Sequence, residues 1–299
     1  MPLARTRRFR LPGRGQGDMA AYEVGPEDAA LAGIFVHANG FNAATYLETL
    51  ESIAVQSRWL AVDQRGHGRT TLATVADART DWLDLRDDLL ALIEVLNARD
   101  LVLSGHSMGG TVSLLASAEM RGSDRVARLV LFDPVILPAP LLEGTEGSPM
   151  VQGALRRRAR FSNVDEAFKA YRGRGAFRTW PDDTLSAYLS DGLRPAPEGP
   201  GLALSCSPQW EASNYAAQGH DSWAALSCGV QPIDIFTSET GSTFRREAPE
   251  QERLEALAPR VTVQTVVGAS HFLPMERPDL VKVALSAALA HVRAIPNRT

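Results

Sequence analysis

Gly105-His106-Ser107-Met108-Gly109-Gly110 sets a serine between glycines. Type and spacing fit the G-x-S-x-G turn, in which a strand passes sharply into a helix and lifts a serine hydroxyl above a sheet. The apolar Leu101–Ser104 (LVLS) precedes it and Thr111–Met120 (TVSLLASAEM) follows. That context favours a nucleophile over the bland reading, a glycine-rich helix start with a capping serine. A serine hydroxyl is a weak nucleophile at neutral pH and needs a base in hydrogen-bond reach. Among the histidines at 37, 67, 106, 220, 271 and 291, His271 follows the strand-like Val261–Val267. This puts it on a loop at the carboxyl edge of a sheet, where open α/β sheets build their sites. It also comes last in the chain, as a Ser…acid…His order requires. His106 reads as a packing residue, His67 as a turn residue and His291 as a surface residue; His220 suits a surface or a pocket. The chemistry is acyl transfer, which also needs donors for an oxyanion. Met108, directly after the serine, supplies one backbone N–H, and Asn39 in His37-Ala-Asn39-Gly40-Phe41 is the candidate for the other.

These residues need a rigid sheet beneath them. Short apolar runs at Gly33–His37, Trp59–Asp63, Leu101–Ser104 and Ala127–Phe132 suit strands buried on both faces. Helical patterns at Asp81–Leu96, with Asp81 as a cap, and at Gly110–Glu119 alternate with them. Strand and helix in alternation predict a mostly parallel, doubly wound α/β sheet. Between about 137 and 229 the rhythm is lost, and Gly/Pro-broken short helices are expected there. Strand patterns return at Ile233–Phe236 and Val261–Val267, and a closing helix runs from about Pro278 to Val292. The division expected is therefore a core of 1–136 and 230–299 with a helical cap at 137–229. Gly13-Arg-Gly15-Gln-Gly17 reads as a turn between two N-terminal strands.

The chain has 299 residues, 44% of them apolar and 22% charged, enough to bury a large core. A net charge of −4, with both signs mixed, offers no footprint for nucleic acid or an anionic membrane. No apolar run approaches a membrane span or a signal peptide, and Cys206 and Cys228 form no metal pattern. A cytoplasmic protein without metal or cofactor is expected, acting on a small-molecule ester, its oligomeric state open. The run Arg156–Arg160 (RRRAR) reads as a solvated helix face rather than a contact for an acidic substrate.

HANGF, DQRGHG, GHSMGG and SHFLPMERP, in this order and spacing, resemble the α/β-hydrolase fold superfamily from about residue 30 to 293. Within it the chain resembles the capped esterases and lipases. Haloalkane dehalogenases share the layout but carry an aspartate where this chain has Ser107, and epoxide hydrolases are disfavoured for the same reason. The resemblance implies a Ser-His-acid triad and an acyl-enzyme, with a cap that admits substrate. Many members place the acid in a G-x-x-D turn after the strand matching Ile233–Phe236, but here glycine, Gly241, stands there. Asp133, at the end of Ala127–Phe132, and Glu239 are the two candidate acids; Asp133 is preferred because some haloalkane dehalogenases place theirs after that strand. Trp180 and Trp210 are the candidate pocket residues, unless they form the cap's own core. Lactonase, C–C hydrolase and acyltransferase chemistries fit the same triad, and a ligand receptor on the same scaffold is the rival from another class.

Overall fold

A computed structural model describes residues 4–142, 145, 147–244 and 247–294. In chain order β1 (Arg5–Phe9) and β2 (Met19–Val24) form a hairpin, with Gly13, Gly15 and Gly17 in its turn region. There follow β3 (Leu31–Val36), α1 (Leu47–Ile53), β4 (Arg58–Val62), α2 (Leu83–Leu96), β5 (Leu101–His106), α3 (Met108–Glu119) and β6 (Val126–Phe132). The insertion holds α4 (Pro149–Leu155), β7 (Arg160–Phe161), α5 (Val164–Tyr171), α6 (Asp182–Gly192), β8 (Leu193–Pro195), β9 (Leu202–Leu204) and α7 (Pro208–Ala216). The chain closes with α8 (Ser222–Cys228), β10 (Ile233–Thr240), α9 (Ala248–Leu257), β11 (Val261–Ser270), α10 (Leu273–Glu276) and α11 (Pro278–Ala294).

The main sheet has the order β1-β2-β4-β3-β5-β6-β10-β11. All pairings from β4 to β11 are parallel; only β2 runs against its neighbours. The chain steps from β3 out to β4 and returns to β5 on the other side of β3. The loops leaving β3 and β5 therefore diverge at a switch point, which opens a crevice at the carboxyl edge. Both sheet faces are covered, which is why the strands read as unbroken apolar runs. Leu103, Leu129, Leu131 and Ile235 share one core with Leu89 and Leu92 of α2 and Val112 of α3. Their neighbours Val102, Val130 and Phe132 share the other with Leu50 of α1 and Leu285 of α11.

Local sequence explains the helix starts. Ser148, Asn163 and Ser207 accept the N–H groups of Val151, Glu166 and Trp210 and so cap α4, α5 and α7. The expected cap at Asp81 differs in detail: α2 starts at Leu83, and the Asp81 carboxylate takes the Leu83 N–H at 2.9 Å. The insertion also carries a small sheet, β7-β9-β8, beside its helices. Toward its far end, Trp223 and Leu226 of α8 share a core with Val112 and Leu115 of α3. No helix among the described residues is long and apolar enough to cross a membrane.

Candidate active site

Ser107 stands between β5 and α3 with φ 52° and ψ −122°. A left-handed φ at a residue with a side chain costs ~1–3 kcal/mol and persists only where its surroundings impose it. Here the Ser107 N–H is held by the Phe132 carbonyl at 3.0 Å, and the Ser107 carbonyl accepts the Thr111 N–H at 3.1 Å. The flanking glycines are required by contact. A Cβ on Gly109 would lie 2.2 Å from the Val36 carbonyl oxygen, and one on Gly105 would lie 2.5 Å from the Gly109 backbone. Strand and helix can pack this closely only without those side chains.

His271 follows β11 and meets the serine: its Nε2 lies 2.9 Å from Ser107 Oγ, and its Nδ1 lies 2.6 Å from Asp133 Oδ2. Asp133, directly after β6, also has a left-handed φ of 44° and is fully buried. Its backbone N–H is clamped by the Phe236 carbonyl at 2.7 Å, so β10 fixes the turn. The carboxylate accepts further bonds on both oxygens: Oδ1 from the Ser238 N–H at 3.0 Å and the Ser242 hydroxyl at 2.6 Å, Oδ2 from the Ser238 hydroxyl at 2.9 Å. Burial pushes this carboxyl up, but the hydrogen bond and charge of His271, with the Ser242 and Ser238 donors, outweigh it and hold it below its ordinary value. Glu239 points elsewhere; it is exposed and accepts the Gly268 N–H at 3.0 Å. Of the two candidate acids, only Asp133 is brought to His271.

Two segments carry the candidate oxyanion donors, Met108 and Asn39. Met108 is the first residue of α3, where an N–H has no intrahelical acceptor and lies at the positive end of the helix. In the loop after β3 the neighbours of Asn39 are already engaged. The Ala38 N–H donates to Tyr46 Oη at 3.3 Å, the Gly40 N–H to His67 Nε2 at 3.0 Å and the Phe41 N–H to the Ala38 carbonyl at 3.1 Å. The Asn39 side chain is also engaged, donating to the Glu211 carbonyl at 3.0 Å and accepting from Asn214 at 2.8 Å. His67 is thus more than a turn residue. Because Nε2 accepts, its proton is on Nδ1, which donates to the Arg65 carbonyl at 2.9 Å. His37 is held likewise, with Nε2 accepting the Gln64 N–H at 2.9 Å and Nδ1 donating to the Ala38 carbonyl at 2.7 Å. Burial pushes its pKa down to about 4.

The two expected pocket tryptophans part company. Trp180 packs against Phe41 and Phe177, each 4.9 Å between ring centroids, and lies 6.4 Å from Phe272, the residue after His271. Its buried indole N–H has no acceptor among the described residues. Trp210 belongs to the joint between α7 and the core: its N–H donates to the Arg65 carbonyl at 2.9 Å, and Arg79 stacks over its ring at 4.2 Å. Its ring face and its polar tip are thus both engaged in seating α7 against the core. The reading of RRRAR is corrected. It is not one helix face: Arg157 turns inward to Glu211 at 2.8 Å and to Tyr188 Oη at 2.6 Å, against Gly40. His220 is buried and stacks on Trp82 at 4.5 Å, and His291 is exposed on α11.

Access to the serine is narrow. Ser107 is only 7% exposed, and the His271 side chain 26%. The rings of Phe41, Trp180 and Phe272 cluster beside His271, whose ring centroid lies 5.8 Å from that of Phe272. No cluster of metal-binding side chains occurs among the described residues.

Comparison with known proteins extends the likeness over nearly the whole chain. A family model described as "Alpha/beta hydrolase family" matches residues 34–284. The 2-(acetamidomethylene)succinate hydrolase of Mesorhizobium japonicum is 24% identical over 253 residues, covering 85% of this chain and 86% of that protein. A crystal structure of E-2-(acetamidomethylene)succinate hydrolase superposes with a TM-score of 0.75 at 23% identity, over 96% of this chain and 100% of that one. A thioesterase domain from the curacin biosynthetic pathway also reaches 0.75, at 14% identity, over 95% of this chain and 99% of that domain.

Proposed function

The chain belongs to the alpha/beta hydrolase family, and on that premise we propose that it hydrolyses carboxylic esters through an acyl-enzyme on Ser107. The observation that carries this reading is the continuous line of hydrogen bonds Ser107 Oγ–His271–Asp133, at 2.9 and 2.6 Å. The Nδ1–H of His271 donates to the ionised Asp133, which leaves Nε2 as the base facing the hydroxyl. Ser107 Oγ attacks the ester carbonyl as His271 Nε2 takes its proton. The Met108 and Asn39 N–H groups receive the negative oxygen, and Asp133 stabilises the imidazolium. His271 then protonates the leaving alkoxide. Water, deprotonated by the same nitrogen, attacks the acyl-enzyme, and collapse of the second tetrahedral species returns Ser107 and releases the acid. Nothing in this sequence calls on a metal or cofactor. The aromatic cluster of Phe41, Trp180 and Phe272 suits an apolar acyl or alcohol group.

The test is a chain-length panel of p-nitrophenyl esters, with an alkyl fluorophosphonate to count reactive serines. Turnover with one label per chain, both lost in folded Ser107→Ala, is the expected result. Labelling at another residue, or steady turnover by the alanine variant, removes Ser107 from the reaction. Product analysis with added alcohols separates hydrolysis from acyl transfer, and lactone and β-diketone substrates probe the other chemistries open to the same three residues. A receptor on this scaffold would take the label and show at most a single turnover.

A further inference from the structure

His106 precedes Ser107 and points to the opposite side of the strand, where it is wholly buried. Its ring joins the segment after β3 to the loop after β11 by hydrogen bonds. Nε2 lies 2.7 Å from the His271 carbonyl oxygen, and Nδ1 lies 2.8 Å from Tyr46 Oη. Tyr46 Oη in turn accepts the Ala38 N–H at 3.3 Å. The direction of every bond in this chain is fixed by chemistry. A carbonyl only accepts, so His106 Nε2 carries the proton. In the neutral ring Nδ1 is then an acceptor and takes the Tyr46 hydroxyl proton, which leaves a Tyr46 lone pair for the Ala38 N–H. Burial keeps the ring neutral by pushing its pKa down to about 3, so this tautomer holds at any working pH.

We propose that Tyr46 and His106 are positioning residues that lock the oxyanion loop after β3 and the His271 loop after β11 into one relative geometry. This rests on the roles given above to Ser107, His271 and Asn39. Asn39 lies between two tied peptides: Tyr46 holds the Ala38 N–H and His67 holds the Gly40 N–H. The Asn39 N–H is aimed by these ties, and the Tyr46 tie continues through His106 to the backbone of the base. Donor and base both act in the transition state more than in the ground state, so loosening their relative position lowers kcat and leaves substrate binding nearly intact.

Tyr46→Phe removes one oxygen from the relay without opening a cavity. Its kcat on a p-nitrophenyl ester is expected to fall ~10- to 100-fold, with KM within about twofold, and the Ki of phenylboronic acid is expected to rise in parallel. His106→Phe breaks the same line at its centre, and His106→Gln, which keeps a donor for the His271 carbonyl, should recover part of the loss. Because both residues act through one line, the double variant Tyr46→Phe/His106→Phe should lose little more than the worse single variant. If His106→Phe does not fold, the Tyr46→Phe and His106→Gln kinetics still decide. A kcat for Tyr46→Phe within twofold of wild type, whatever its Tm, overturns the relay, and so do multiplicative losses in a folded double variant. Stoichiometric fluorophosphonate labelling with unchanged Tyr46→Phe kinetics defeats the relay alone. Failure to label wild-type Ser107 defeats the serine reading and the relay with it.

Discussion

Asp133→Asn is the substitution whose outcome the geometry fixes most tightly. The carboxylate accepts four bonds, two on each oxygen. An amide of the same shape has one acceptor oxygen and one donor nitrogen. The Ser238 backbone N–H, 3.0 Å from Oδ1, cannot turn away, so the amide oxygen must occupy that position. The NH2 group then falls at Oδ2, where His271 Nδ1 lies at 2.6 Å. A donor facing Nδ1 forces the ring proton onto Nε2, and that nitrogen can no longer accept from Ser107. The reverse orientation leaves the Ser238 N–H and the amide N–H facing each other. Wrong tautomer and lost charge together cost ~10⁴ in kcat in a serine protease triad, about 5 kcal/mol of transition-state stabilisation. Glu239→Gln is the control and should leave kcat unchanged, because that side chain is bound to Gly268. The assay is steady-state ester hydrolysis beside a circular-dichroism melt of each variant. Folded Asp133→Asn within ~10-fold of wild-type kcat would refute the assignment.

Other outcomes follow from the same contacts. Ser107→Ala should lower kcat by on the order of 10⁶ while the fold is kept, checked by burst kinetics and the melt. Trp180→Ala should change acyl-length preference, read as kcat/KM across the ester panel; an unchanged profile would place its ring in the cap core alone. Trp210→Ala should instead destabilise by ~3–5 kcal/mol with an unchanged profile, since it removes a buried ring that seats α7, and denaturant melts measure this. Acid should unfold the protein early. Burial lowers His37 and His220 to about 4 and His106 to about 3, with His67 also well below its ordinary value. Below the unfolded value of ~6.5 the unfolded chain binds more protons, so stability falls as pH drops, by on the order of 3 kcal/mol per histidine fully titrated. Asp63, raised by burial to about 7, opposes this over the same range but is one group against four. A Tm that is flat between pH 7 and 4 would contradict the burial argument.

The parts of the site legible in sequence are those that local sterics dictate. The elbow could be read because the approach of β3 to α3 leaves no room for a Cβ at Gly109. His271 could be read because a strand pattern ends just before it. Trp180 and Trp210 could not be told apart, since both sit in one stretch of mixed composition and their directions depend on partners far along the chain. Arg65 is 145 residues from Trp210. Arg157 was hidden in the same way: a run of arginines signals solvent by composition, while Glu211, 54 residues on, draws one of them inside. His106 carried a usable signal, a polar ring at the end of a mostly apolar strand, where a buried polar group must find partners. Which partners it finds depends on packing between loops, and the sequence does not encode that locally.

The position of the acid is where local pattern and tertiary structure have to be joined. By resemblance the aspartate belongs after β10, and the chain has Gly241 there. A Cβ built on Gly241 would lie 3.7 Å from the His271 Cβ, so this turn still abuts the base. What reaches Asp133 from this segment is a set of donors, the Ser238 N–H and hydroxyl and the Ser242 hydroxyl. Three donors to a buried carboxylate favour its charged form and leave Oδ2 fixed for His271. The β6–β10 register, Phe132 opposite Phe236, makes this exchange possible by bringing the two strand ends side by side. On the proposed mechanism Asp133 can therefore serve His271 from the end of β6, because the β10 turn supplies its hydrogen bonds. Ser242→Ala, which removes a 2.6 Å bond from Oδ1, should raise the pKa of Asp133 and, by leaving the carboxylate a stronger acceptor for the His271 Nδ1–H, move the acid limb of the pH–kcat profile upward. An acid limb identical to wild type would mean that the serines of the β10 turn do not support the acid.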